Sequence, residues 1–153
     1  MKINYTIFFV VLLFLLSGWA CKDKEEDKNT WVSCYTCTMD SWTGIFEGTT
    51  SYFDASTMND VEGLDITIEI EETASDYLTA YINVPNYFST AISGEWNSPY
   101  SISFAGSNSS LVATLFEQGG ELRLAGNAKK FHYKVDSLIV DEVINFEVYK
   151  RTH

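Results

Sequence analysis

Apolar and polar residues alternate along most of this chain, and a period of two predicts β-strands. Residues 64–71 are the clearest case, because the even positions are all Leu or Ile and the odd positions are Asp, Thr or Glu. As a strand this segment has one dry and one wet face, whereas a helix would scatter its apolar residues. Residues 77–84 repeat the pattern, and residues 72–76 between them predict a hairpin loop.

The same alternation predicts strands in several other segments, which cover residues 31–39, 45–55, 100–105, 111–117, 121–125, 131–135 and 144–149. Gly119 and Gly120 predict a tight hairpin turn, because primed turns require positive φ. Residues 54–63 are interpreted as a longer connection. Residues 85–99 are the least regular part, with either one helical turn or a short strand. No segment predicts a long helix or a βαβ crossover.

About eight strands joined by short loops predict an all-β fold. An antiparallel sheet of this size must protect its edges by closing or by stacking. The short links favour an antiparallel up-and-down barrel, with a β-sandwich as the alternative. The arrangement is similar in outline to small calycin-like, or lipocalin-like, barrels. That resemblance implies a fold and does not fix a function.

The chain begins with the pattern of a signal peptide. A cation at Lys2 precedes ten apolar residues at 7–16, and small residues follow. A transmembrane helix needs about 20 apolar residues, so a segment this short is expected to be cleaved. Cleavage after the small-x-small site Gly18-Trp19-Ala20 would release a free protein. The alternative is lipoprotein-type processing at the same bond, in which Cys21 carries a lipid that holds the chain to a membrane.

The second interpretation is supported by a resemblance. Gly18-Trp19-Ala20-Cys21 resembles the lipobox of bacterial lipoproteins, and the Lys-Asp-Lys-Glu-Glu-Asp that follows Cys21 resembles the start of mature surface lipoproteins of Bacteroidota. The resemblance implies a signal peptide over residues 1–20, fatty acyl chains such as palmitate on Cys21, and attachment to the bacterial outer membrane at the cell surface. A periplasmic position is left open.

Composition divides the remaining chain into two parts. Residues 21–29 form a charged tether with no apolar residue after Cys21, so we expect it to stay solvated. Residues 30–153 form a single β domain, long enough to bury a core. This domain has six Lys and Arg residues against seventeen Asp and Glu. Such a charge repels nucleic acid and anionic membrane surfaces, so the expected membrane contact is through the lipid on Cys21.

Two further cysteines, Cys34 and Cys37, are candidates for a disulfide, because exported compartments are oxidising. Free or buried thiols, a redox pair and half of a zinc site are the alternatives. Zinc needs about two further ligands, and the chain's histidines are His132 and His153. On a straight strand, Cys34 and Cys37 would point to opposite faces, so a disulfide requires a bulge or a bend.

The sequence predicts neither a catalytic site nor a cofactor. His132 lies on the polar face of a predicted strand, and Glu69 and Glu71 share a solvated face. No nucleophile elbow, zinc-protease helix or phosphate-binding glycine loop occurs. Four acidic residues around one loop are a weak alternative as calcium ligands, namely Asp54, Asp60, Glu62 and Asp65.

Binding is the function that the sequence favours. Trp42, Tyr87 and Trp96 lie in predicted loops and are the candidate ligand contacts. We therefore expect an envelope-anchored lipoprotein whose non-catalytic β-barrel binds a small apolar ligand or a glycan. The alternative is a structural or assembly subunit of an outer-membrane complex, in which the barrel core is filled and an envelope protein is the partner.

The lipid anchor can be tested directly. Cys21→Ala should leave the chain without its acyl chains and therefore loosely held, because a lipid anchor gains about 0.8 kcal/mol for each buried CH₂. Fractionation of membranes checks this, with Cys37→Ala as a control that retains the anchor. Unchanged membrane association of Cys21→Ala would exclude lipidation as the means of attachment.

Overall fold

The computed structural model describes residues 30–151, and this part of the chain is almost entirely β-structure. The elements in chain order are β1 (Val32–Ser33), α1 (Met39–Trp42), β2 (Gly44–Asp54), β3 (Asn59–Ala74), β4 (Tyr77–Val84), β5 (Phe88–Glu95), β6 (Ser101–Ala105), β7 (Ser109–Gln118), β8 (Glu121–Lys134) and β9 (Ser137–Lys150). The predicted all-β class is confirmed.

All nine strands belong to one antiparallel sheet. The order across the sheet is β1-β7-β8-β9-β2-β3-β4-β5, and β6 pairs with β7. Two meanders, β2–β5 and β6–β9, are joined because β9 pairs with β2 from Phe46↔Lys150 to Asp54↔Glu142. Every consecutive pair from β2 onward is hydrogen-bonded except β5 and β6. The predicted up-and-down order is therefore present, interrupted at one step.

That interruption means that the expected closed barrel is not formed. Between β5 and β6 the contact is made by side chains: the fully buried ring of Phe104 occupies the space where a Cβ on Gly94 would lie. Thr90 Oγ1 of β5 also donates a hydrogen bond of 3.4 Å to Ser109 Oγ at the start of β7. The ring holds the two backbones apart, so the sheet stays open along this seam, and the fold is also consistent with the sandwich alternative.

The inward face of the sheet is filled by side chains. Ile66, Ile68 and Ile70 of β3 are at most 2% exposed, as their alternation with polar residues predicted. The facing strands contribute fully buried residues to the same cluster, among them Leu78, Ile82, Phe88, Ile102, Leu111, Leu115, Leu124, Ile144 and Val148. Large branched and aromatic side chains from all the long strands therefore meet in one core.

Several element boundaries differ from the sequence prediction. The first strand, predicted over residues 31–39, ends at Ser33, because the chain turns at Cys34 and then forms α1 from Met39. β3 begins at Asn59, since the predicted loop at 54–63 pairs with the end of β2. β5 forms within the segment predicted to be irregular. The Gly119-Gly120 turn is confirmed, with φ of 60° and 89°.

Gly94→Ala should destabilise the domain, because the new methyl group would overlap the Phe104 ring. Overpacking of this kind costs about 1–3 kcal/mol. Gly106→Ala is the matched control, since its Cβ would lie 3.4 Å from the nearest atom and needs no rearrangement. The measurement is the midpoint of urea unfolding. Equal midpoints for the two variants would show that the Phe104 ring does not fill the seam.

Candidate functional site

The turns of the sheet lie at two opposite ends of the domain. β1, α1 and the turn at Gly119-Gly120 are at one end, which we call the N-terminal end. The turns at residues 55–58, 85–87, 106–108 and 135–136 are at the other, which we call the distal end. The predicted signal peptide (residues 1–20), the predicted lipidation site Cys21 and the rest of the predicted tether (residues 22–29) lie outside the described residues.

The three predicted contact aromatics do not form one site. Trp42 is fully buried, and its Nε1 donates to Pro99 O at 2.9 Å, so it belongs to the core and is not an exposed ligand contact. Trp96 is partly buried against the same core at the N-terminal end. Tyr87 lies at the distal end, with its ring 5.3 Å from that of Tyr52. The loop position of these residues indicated exposure, but tertiary packing decided it.

Cys34 and Cys37 are adjacent at the N-terminal end. Their sulfur atoms lie 2.00 Å apart, as in a disulfide, and both residues are buried. The strand ends at Ser33, so the chain can bend between the two cysteines and bring both to the core side. Cys34 N donates to Leu115 O at 2.9 Å, which fixes this bend to β7.

An aromatic and cationic cluster attaches the start of the domain to the sheet. The Arg123 guanidinium lies 4.8 Å from the ring centroids of both Trp31 and Phe116. Its Nη1 is 3.3 Å from a carboxylate oxygen of Glu147. A guanidinium stacked between two rings is held by cation–π attraction as well as by charge. The described part of the chain therefore enters the fold at this end.

Lys150 binds the backbone of the short helix α1 at the same end. Its Nζ donates to Asp40 O at 2.9 Å and to Ser41 O at 3.0 Å, the two middle carbonyls of α1. Burial lowers the pKa of Lys150, although the nearby Asp40 opposes that shift. Beside it lies a pocket of about 360 Å³, lined by Gly120, Glu121, Leu122, Tyr149, Lys150 and Arg151. The hydrogen bonds of the Lys150 ammonium group are thus made to backbone carbonyls of α1.

At the distal end one hairpin extends beyond the rest of the sheet. The β7–β8 ladder ends at Ser109↔Lys130, and the β2–β9 ladder ends at Asp54↔Glu142. β8 and β9 continue past these pairs as a two-stranded ribbon over residues 131–141, which we call the distal hairpin. A register shift after Lys130 marks the point at which it leaves the sheet.

The distal hairpin exposes apolar side chains. Tyr133 pairs with Leu138 and Phe131 with Val140, so these four residues share one face of the ribbon. The exposed fractions are 69% for Tyr133, 53% for Leu138 and 90% for Val135 at the tip. Grouped exposed apolar side chains are typical of interaction sites, so this face is a candidate interaction surface. The apolar run 138–140 was the available sequence signal, but no strand was predicted there.

The backbone at the tip of the distal hairpin has an unfavourable conformation. Val135 and Asp136 form a two-residue turn with φ of 43° and 61°. Type I′ turns need two positive φ values and favour Asn and Gly. A β-branched residue is rare in this region, and the left-handed conformation costs about 1–2 kcal/mol. The chain therefore places an exposed apolar residue where a more stable choice exists.

The polar groups near the distal end are paired with one another. His132 Nδ1 lies 2.9 Å from Asp141 Oδ1, and Lys130 Nζ lies 2.9 Å from Glu142 Oε2. Asp54 Oδ1 accepts hydrogen bonds from Ser56, and these bonds lower the pKa of Asp54. Asp54 therefore fixes its turn, and residues 30–151 contain no group of three acidic, His or Cys side chains placed to hold a metal.

Comparison with known proteins gives no relative: no family model, no curated protein and no solved structure matches the chain. Within residues 30–151, no helix is long and apolar enough to cross a membrane. The geometry of the domain is thus the basis for any functional proposal.

Val135→Asn should stabilise the domain by about 1 kcal/mol, because Asn tolerates positive φ and Val does not. Val112→Asn is the matched control: Val112 is also exposed but lies within β7, where Asn should destabilise. The measurement is the thermal unfolding midpoint of each variant, compared with that of the wild type. A loss of stability in Val135→Asn would mean that the tip does not hold a strained turn.

Proposed function

We propose that this chain is an exported, lipid-anchored, non-catalytic subunit of the bacterial outer-membrane surface. Its β domain contacts a protein partner through the distal hairpin. The observation that carries the proposal is the exposed apolar ribbon formed by Tyr133, Val135 and Leu138 at the end opposite the tether. This corresponds to the assembly function that the sequence left as an alternative.

The position of the hairpin relative to the tether supports this function. Residues 21–29 extend at most about 30 Å when fully stretched, and Trp31 joins the domain at the N-terminal end. β9 has 14 residues, and a strand of that length spans about 43 Å from one end of the domain to the other. An anchor at Cys21 would hold the N-terminal end near the lipid and leave the distal hairpin accessible to partners.

The filled core favours an assembly function over transport of an apolar cargo. Ile68, Leu78 and Phe104 occupy the space between the strands and are at most 1% exposed. A carrier would instead need an internal cavity lined by apolar groups. A small ligand or glycan remains the second candidate, supported by the exposed Tyr149 and Arg151 beside the pocket of about 360 Å³.

Catalysis is left out of the proposal because the well-placed polar groups already have structural partners. Lys150 holds α1, Asp54 holds its turn, and the hydrogen bonds of the His132 ring are to Asp141. A His–Asp pair needs a third group, a nucleophile within hydrogen-bond reach, to form a hydrolytic triad. In residues 30–151 no Ser, Thr or Cys side chain is hydrogen-bonded to His132.

A photo-crosslinking amino acid in place of Tyr133 tests the contact in the native envelope. We expect a discrete crosslinked protein species that disappears when Leu138→Asp is added, since that change places a charge on the same face. Tyr81, an exposed tyrosine of β4, is the matched control position. The absence of an adduct specific to position 133 would contradict the proposal. A small molecule found bound to the domain by native mass spectrometry would instead favour the second candidate.

A further inference from the structure

We infer that the partner of the distal hairpin is a second copy of this chain, bound by antiparallel pairing of the outer edges of two β9 strands. The inference rests on the proposed function and names its partner. It follows from three features of the hairpin: an open backbone edge, a self-complementary sequence and a local charge of zero.

The outer edge of β9 is open at the hairpin. β2 pairs with β9 as far as Glu142, and Ala55 N donates to Asp141 O at 2.8 Å. Beyond this point, within residues 30–151, residues 137–140 have no ladder partner on that side. An unpaired edge presents a row of N–H and C=O groups that readily accept another strand.

This edge also lacks the usual protection against pairing. Residues 137–140 are Ser-Leu-Ile-Val, with neither charge nor proline. The corresponding edge of β8 carries His132 and Lys134, and Lys is a typical edge-protecting residue. The β9 side is therefore the edge at which we place the second strand.

The exposed segment is complementary to itself. Antiparallel pairing about Ile139 would place Leu138 of one copy opposite Val140 of the other, and Ile139 opposite its own counterpart. A two-fold interface needs such self-complementarity. Leu138 and Val140 also share the face of Tyr133 and Phe131, so pairing would join the two apolar faces into one.

Charge identifies this surface as the place where two copies can meet. In the hairpin and its base, residues 129–142, three lysines are balanced by Asp136, Asp141 and Glu142. The rest of the domain has three cations against fourteen acidic residues. Two such domains repel one another over most of their surface, whereas the hairpin presents no net charge.

The expected dimer is reversible. The edges would pair over four residues, which is small compared with the roughly 800 Å² that each partner buries in a standard interface. Its population should therefore rise with concentration. Because the strands are antiparallel, the two N-terminal ends would lie at opposite ends of the dimer, so both anchors reach one membrane when the dimer lies along its surface.

Ile139→Cys in the full lipidated chain, oxidised in its own membrane, tests the pairing. Directly opposed residues on antiparallel strands have Cα atoms about 4.5–5.5 Å apart, within the range for a disulfide. We expect a dimer on a non-reducing gel that is absent from the wild type. Val112→Cys, exposed on β7, is the matched control. No dimer, or equal dimer from both variants, would overturn the inference.

Sedimentation of the detergent-solubilised full chain provides a second measurement. Ile139→Lys should weaken self-association by up to about fivefold, because it would place two like charges directly opposite each other. Val112→Lys should leave self-association unchanged. If the adduct at Tyr133 contains a different protein and Ile139→Cys gives no dimer, the proposed function stands and self-pairing fails. If neither product forms, both fail.

Discussion

The ladder between β9 and β2 is the constraint on which the rest of the structure depends. It joins residues about one hundred positions apart and makes one sheet of two meanders that share no backbone bond at the β5–β6 seam. Gly48 allows this close approach, because a Cβ there would meet the backbone of Glu147 and Val148. Thr50 Oγ1 adds a hydrogen bond of 2.8 Å to Asn145 O. Without this ladder neither meander could cover its apolar face.

Local alternation was sufficient to predict the central strands. In β3 and β4 each Ile or Leu is followed by a polar residue, so the dry face can be identified without knowledge of the partner strand. The start of β3 is different, since residues 59–63 are mostly polar and are extended because β2 pairs with them. β5 was missed for a similar reason: its alternation includes Ser, Thr and Gly, and its neighbour β4 determines its conformation.

The candidate site depended even more on tertiary structure. Val135, Leu138 and Ile139 could be recognised as apolar in the sequence, but their exposure follows from the lengths of the neighbouring strands. β7 and β2 end before the hairpin does, and no local pattern in residues 131–141 encodes where they end. For Trp42 the error is the opposite one: a residue predicted to be an exposed loop aromatic is buried in the core, because it lies in α1 and faces inward.

The attachment at Trp31 has a mechanical consequence. If residues 21–29 hold the domain to a membrane as proposed, drag on the domain would be transmitted through Trp31 and the residues that follow it. β1 has only two residue pairs with β7, and such a short ladder would peel open under tension. The Arg123 guanidinium contacts Trp31 on one side of this ladder, and the buried Cys34–Cys37 disulfide loop follows it on the other. Under load, extension should therefore end at this loop and leave the sheet intact.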